Sequence, residues 1–291
     1  MKPGTEFEIV PSGAALGAEI RGIDLSRPLD EETFRAIEAA FNEHSVLCFR
    51  NQDLKPPQLI DYASRYGEVQ RLMFFNHYAM PDYPEILYIS NIQENGQDIG
   101  YADAGSVWHT DMSFEQRPPR ATILHAREIP ITEDGTVLGE TLFASAVKAY
   151  ESLEPELKEK LKGLRVVHDV AGRRRKTGTG TKEDQEEYEA KPLIVHPAIR
   201  RHPYTDRQAI YVFNGECVAI EGMDDTEALP LIDALASTVT RDEFIYRHRW
   251  AVGDVIMWDN CAVQHLAMHD YELPLRRMMW RITVGYTEVY E

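Results

Sequence analysis

The chain has 291 residues, 43% of them hydrophobic and 27% charged, with a formal net charge of -17. That much apolar material can bury a sizeable core, which excludes fibrous and wholly disordered classes. The acidic balance also argues against a broad nucleic-acid or anionic-membrane surface, since counterion release needs clustered Lys and Arg.

The opening segment MKPGTEFEIVPSG lacks the apolar core of a signal peptide, and no stretch approaches the roughly 18 to 20 apolar residues of a membrane span. A cytoplasmic location is the expectation. Phe34, Ile37 and Phe41 recur at helical spacing after Asp30, and Leu59, Tyr62, Ala63 and Tyr66 do so after Pro56-Pro57. Between them SVLCF reads as a buried strand. Beyond residue 80 the pattern turns strand-like at EILYIS, RATILHAREI, LIVH, AIYVF, EFIYRHRW, DVIMWD and MMWRITVGY. In EFIYRHRW, alternation places Phe244, Tyr246, His248 and Trp250 on one face and Ile245, Arg247 and Arg249 on the other. Helical segments near 145 to 161 and 226 to 239 interrupt the series.

Many strands with few helical crossovers favour an antiparallel sandwich or barrel with helices packed outside. The polar stretch 171–192, basic and then acidic, reads as a solvated mobile loop or as a lid over a site. Its RRRK run is the one local basic cluster. Cys48, Cys217 and Cys261 are too few and scattered for a disulfide framework and read as buried, reduced thiols.

In VWHTDMSF, His109 and Asp111 lie two apart, so an extended segment turns both to one side. Alone, His-x-Asp occurs by chance. A second cluster, GDVIMWDNCAVQHLAMHDY, ends an apolar strand at Trp258-Asp259-Asn260 and follows it with His265, which a short loop can present across a barrel mouth. Two histidines and one carboxylate on one face leave the opposite positions of an ion open, the arrangement that suits iron(II) oxygenases. His269 is the alternative to His265. His168, His196, His202 and His248 read as packing or hydrogen-bonding residues. Trp258 and Trp280 read as core, with either ring able to edge a pocket.

The blocks GAEIRGIDLSRPL, HSVLCFRNQ, SRYGEV, WHTDMSF, HPAIRRHPYTDRQAIYV, YRHRWAVGDVIMWDN and QH run almost end to end. In combination they resemble the taurine and 2,4-dichlorophenoxyacetate dioxygenase family, whose members depend on iron and 2-oxoglutarate. The resemblance implies a double-stranded β-helix, a cupin-like jelly roll, mainly β with flanking helices and spanning the whole chain as one domain.

It further implies that His109, Asp111 and His265 bind Fe(II), and that Thr141, Arg277 and Arg281 bind 2-oxoglutarate. Arg281 also falls near an anionic substrate group, and His77, Tyr78 and Met112 fall among substrate contacts. Where the family usually reads Gly-Gly-Asp-Thr, this chain has Leu138-Gly139-Glu140-Thr141. The span from His265 to the arginine is one residue longer than in the taurine enzyme, so Arg276 competes with Arg277. Arg277 is favoured because it keeps the four-residue offset to Arg281, and both then face one way on a strand.

The implied reaction uses O2 to hydroxylate a small anion such as a sulfonate, aryloxyalkanoate or alkyl sulfate ester, releasing succinate and CO2. Related halogenases lack the carboxylate ligand, so Asp111 points to hydroxylation. The expected partners are a small molecule and further copies of the chain, as a dimer or tetramer, with neither nucleic acid nor membrane. The rival readings are a zinc-type metallohydrolase on the same His/Asp/His set, which leaves Thr141 and the paired arginines unexplained, and a non-catalytic jelly roll.

Overall fold

The computed structural model describes residues 7–71, 73–171, 186, 189 and 191–289. The chain opens with β1 (Glu8–Pro11), β2 (Ala18–Arg21), α1 (Glu31–His44), β3 (Val46–Phe49) and α2 (Pro56–Ser64). Then come β4 (Ala79–Met80), β5 (Tyr83–Ser90), β6 (Gln93–Glu94), β7 (Gln97–Asp98), β8 (Ala121–Glu128) and β9 (Thr141–Ser145). Two short helices, α3 (Ala146–Glu151) and α4 (Pro155–Leu161), lead to β10 (Arg165–His168), β11 (Ile194–Pro197), β12 (Ile199–Arg201), β13 (Gln208–Ile210) and β14 (Cys217–Ile220). The last part holds α5 (Asp225–Val239), β15 (Ile245–His248), β16 (Val255–Asp259), β17 (Val263–Ala267) and β18 (Met278–Val284).

Local chemistry sets the helix ends. Asp30 caps α1 by accepting the Thr33 N–H at 2.7 Å, and Ser45 closes it in the left-handed region at φ 61°. Pro56 and Pro57 open α2, where no N–H partner is needed. The helix expected near 145–161 is instead two, because Pro155 disfavours helical backbone at Glu154 and starts a new first turn. EFIYRHRW begins as a 3-10 turn over Asp242–Phe244 and is strand only from Ile245 to His248; AIYVF leaves its strand after Ile210.

The largest sheet runs β1-β2-β3-β16-β8-β18-β5-β4, and among these neighbours only β2 and β3 are parallel. A smaller sheet runs β15-β9-β17. Central strands of the large sheet are apolar on both faces because each face is covered. Leu47, Phe49, Val255 and Met257 join Phe41, Leu59 and Tyr62 of the helices in one core cluster. Cys48, Ile256 and Trp258 turn the other way, to Phe143 of β9 and the start of β17. Two sheets closed face to face make the expected jelly roll, and the inner space between β8, β18, β9 and β17 is where the chemistry gathers. The expected loop at 171–192, with its RRRK run, falls almost wholly outside the described residues. Among those described, no helix is long and apolar enough to cross a membrane.

Candidate active site

His109 and His265 are joined by a two-residue antiparallel bridge: the His109 N–H donates to the His265 carbonyl at 3.2 Å, and the His265 N–H donates back at 2.8 Å. The bridge docks the loop before β8 onto β17 and sets the two rings 4.2 Å apart, centre to centre. His265 is thus a strand residue rather than a loop residue. His109 and Asp111 do converge, as their two-apart spacing anticipates. The chain then turns from Asp111 onward, with Met112 at φ 53°.

The result is three buried side chains whose ligating atoms lie within 4.8 Å of one another. Asp111 Oδ1 stands 3.7 Å from His109 Nε2 and 3.9 Å from His265 Nε2. The Nδ1 of His109 lies 2.8 Å from the Val107 carbonyl, which can only accept. The neutral ring therefore carries its proton on Nδ1 and leaves the Nε2 lone pair directed at the cluster. Burial opposes ionisation of Asp111, but Arg281, His265 and His109 outweigh it and hold the carboxyl far below the usual carboxylate range. Arg281 Nη2 reaches Asp111 Oδ1 at 2.9 Å.

The three side chains line one cavity with Thr141, Arg277 and Arg281, so all six residues of the expected metal and oxoglutarate sets meet there. Its remaining wall is Ile89, Ala104, Gly105, Leu124, Trp258 and Ala267, apolar apart from the indole N–H of Trp258. Thr141, on β9, accepts the Trp250 indole N–H at 3.0 Å, which fixes its rotamer. Arg277 is 3% exposed, and among the described residues its Nε has no hydrogen-bond partner and its guanidinium no carboxylate. A buried cation without a counter-charge is costly unless an anion arrives. Arg276 points outward instead and is paired with Glu128 at 2.9 Å.

His77, Tyr78 and Met112 are not on the cavity wall: His77 is exposed, Tyr78 stacks on Tyr101 at 5.7 Å, and Met112 packs against the core. His269 is exposed and lies against the Ala267 and Ala102 carbonyls, outside the cluster. Trp258 edges the cavity; Trp280 lies under Arg127 and against His125, on the far side of the sheet.

Motif reading missed the small residues of the wall. Gly105 has φ +79°, and a Cβ there would come 3.3 Å from that of Ala267. A glycine four positions before His109 was the only signal.

A jelly roll with two imidazoles and a carboxylate converging in a cavity that also holds buried arginines suits the class of oxygenases that combine a divalent metal with a dicarboxylate co-substrate. The comparisons narrow the class. The family described as "Taurine catabolism dioxygenase TauD, TfdA family" matches residues 8–283. Pentalenolactone F synthase of Streptomyces avermitilis is 33% identical over 96% of this chain and 94% of its own. The alpha-ketoglutarate-dependent 2,4-dichlorophenoxyacetate dioxygenase of Cupriavidus pinatubonensis is 31% identical over 94% of this chain and 96% of its own. Among solved structures, AAD-2 in complex with Mn(II) and N-oxalylglycine superposes with a TM-score of 0.80 at 26% identity, covering 98% of this chain and 99% of that one.

The chain belongs to the TauD/TfdA family and is a 2-oxoglutarate-dependent dioxygenase. The zinc-hydrolase alternative finds no support in these matches.

Proposed function

We propose that this single-domain enzyme binds Fe(II) through His109, Asp111 and His265, and hydroxylates a small organic anion with an apolar body at the expense of 2-oxoglutarate. The observation that carries the reading is the cavity itself: a converging N, N, O donor set at one place, and at another a buried Arg277 whose Nε has no partner among the described residues. The donors fit iron(II), with one anionic oxygen, an imidazole tautomer set for ligation and open positions opposite. The similar protein AAD-2 was solved with a divalent metal, Mn(II).

When bound, the iron would couple oxidative decarboxylation of oxoglutarate, to succinate and CO2, to insertion of one oxygen atom of O2 into a substrate C–H bond. The residues of the chain do the rest. Arg277 and the Thr141 hydroxyl hold the distal carboxylate of oxoglutarate, the guanidinium through paired charged hydrogen bonds. Arg281 presents a second cation toward the carboxylates that enter. Trp258, Ile89 and Leu124 exclude water and hold the substrate body against the metal face.

Among the described residues of the wall, Asp111 is the sole carboxylate. A substrate ammonium, as in taurine, would find no carboxylate among those wall residues besides a proposed metal ligand. Aryloxyalkanoates and alkyl sulfate esters, with one anionic end and an apolar body, match better, in keeping with the name of the Cupriavidus relative.

The test is to add iron(II) and then oxoglutarate without oxygen, and to look for the weak visible charge-transfer band of the chelate, with His109→Ala as control. A band that vanishes in the variant supports the centre. A folded, iron-binding protein without the band would overturn the assignment of Thr141, Arg277 and Arg281. Oxoglutarate-coupled turnover of a panel of anions then reads the substrate class, and taurine outperforming every aryloxyalkanoate and alkyl sulfate would sink the apolar-body reading.

A further inference from the structure

A carboxylate can meet a cation with one oxygen or with two, and the outcome depends on what holds the second oxygen. In this molecule that oxygen, Asp111 Oδ2, receives a hydrogen bond from Thr122 Oγ1 of β8. The same Thr122 hydroxyl lies 3.1 Å from Asn260 Nδ2. An amide NH2 only donates, so the hydroxyl must accept there, and its single proton is committed to Asp111. The polarity of the chain Asn260 to Thr122 to Asp111 is therefore fixed.

Asn260 is itself well anchored. It stands in the turn between β16 and β17, its N–H donates to the Arg120 carbonyl at 2.8 Å, and its own carbonyl accepts from Thr110 Oγ1 at 3.1 Å and Arg200 Nη1 at 3.3 Å. Thr110 is the residue between His109 and Asp111. One asparagine thus grips the ligand loop twice, by its backbone through Thr110 and by its side chain through Thr122, while its strand neighbour β17 carries His265. Thr110, Asp111, Thr122 and Asn260 are all buried, at 2%, 4%, 0% and 1% exposure, so water does not compete for these bonds.

We propose that Asn260 and Thr122 form a relay that turns Asp111 Oδ2 away from the metal and makes Asp111 a one-oxygen ligand through Oδ1. Both are positioning residues. The inference rests on the metal site proposed above, and its consequence is that the coordination position a second carboxylate oxygen would take stays open to oxoglutarate.

The test is an anaerobic titration with cobalt(II), followed by its visible ligand-field bands, of wild type, His109→Ala, Thr122→Val, Thr122→Ala and Thr122→Ser. Wild type should give bands that depend on His109. The valine and alanine variants should bind cobalt at least about tenfold more weakly, in the range measured for outer-shell partners of metal ligands, and with altered bands as Oδ2 swings onto the ion. Serine, which keeps the hydroxyl, should restore affinity to within about twofold together with the wild-type spectrum.

A role confined to packing would lower the thermal midpoint of the metal-free protein and leave the spectrum of the folded fraction unchanged, which overturns the relay. So would wild-type affinity in either hydroxyl-free variant; if the valine form does not fold, alanine decides. Absence of His109-dependent bands in wild type would instead remove the metal site, and the relay with it.

Discussion

Among the described residues, three buried clusters bring together the same kinds of donor, and comparing them shows what sets the proposed metal site apart. His109, Asp111 and His265 form the first; His202, Asp259 and Cys261 the second; Cys48, His248 and Asp254 the third. In the second, the ring of His202 is spent, with Nδ1 accepting the N–H groups of Tyr204 and Thr205 and Nε2 2.9 Å from Asp259. In the third, His248 lies 3.0 Å from both the Tyr246 hydroxyl and Asp254, and burial pushes the Cys48 thiol up to about 12, so it stays protonated. In the first, the Nε2 of His109 keeps its lone pair and the cluster opens onto the cavity that holds Arg277. Residue types are shared; a ring nitrogen left without a hydrogen bond, in a cluster on the wall of that cavity, is what sets the first apart.

The sharpest way to break this comparison is to delete one histidine from an open and one from a closed cluster. His109→Ala should lower turnover by at least about 1,000-fold, roughly 4 kcal/mol, with little change in the thermal midpoint of the metal-free protein. His248→Ala should do the reverse. It removes one partner of the fully buried Asp254 and should cost about 3 kcal/mol of unfolding free energy by urea titration, while metal stoichiometry stays at the wild-type value. Loss of metal from the His248 variant would mean that the third cluster is also a site.

Acid should act through buried histidines outside the proposed metal-binding triad. Burial lowers His196 to about 4 and lowers His168 in the same direction. Between about pH 6.5 and 4 the unfolded chain takes up a proton that the folded chain refuses, so stability is full above 6.5 and falls as pH drops through this window. The loss from His196 alone should be up to about 3 kcal/mol. His196→Gln should flatten that slope in urea midpoints measured against pH; an unchanged slope would assign the loss elsewhere.

The paired arginines give the finer contrast. Arg277→Leu should raise the KM for oxoglutarate about 100-fold, near 2.7 kcal/mol, since it removes a buried charged donor. Arg276→Ala should change it less than about threefold, because this residue is half-exposed and bound to Glu128 on the surface. Equal effects from both would mean that the register at the start of β18 is misassigned.

The reach of the sequence is clear from particular residues. The meeting of His109, Asp111 and His265, proposed above as the metal site, was legible because ligand chemistry needs few residue types and two of the three are close in sequence. Leu47 to Phe49 and Val255 to Trp258 were legible as buried strands because a sheet covered on both faces demands continuous apolar runs. The double helix at 146–161 was not anticipated, although Pro155 announced it. By itself the sequence determined which side chains the chain has to offer: two histidines and an aspartate, a hydroxyl at Thr141, and a pair of adjacent arginines. Only the tertiary structure decided which arginine is buried, in which of three similar clusters a histidine, His109, keeps Nε2 directed at its neighbours, and that Thr122 and Asn260 stand behind Asp111. Those outcomes depend on pairings between strands far apart in sequence, and on which polar atoms are already satisfied once the strands have met.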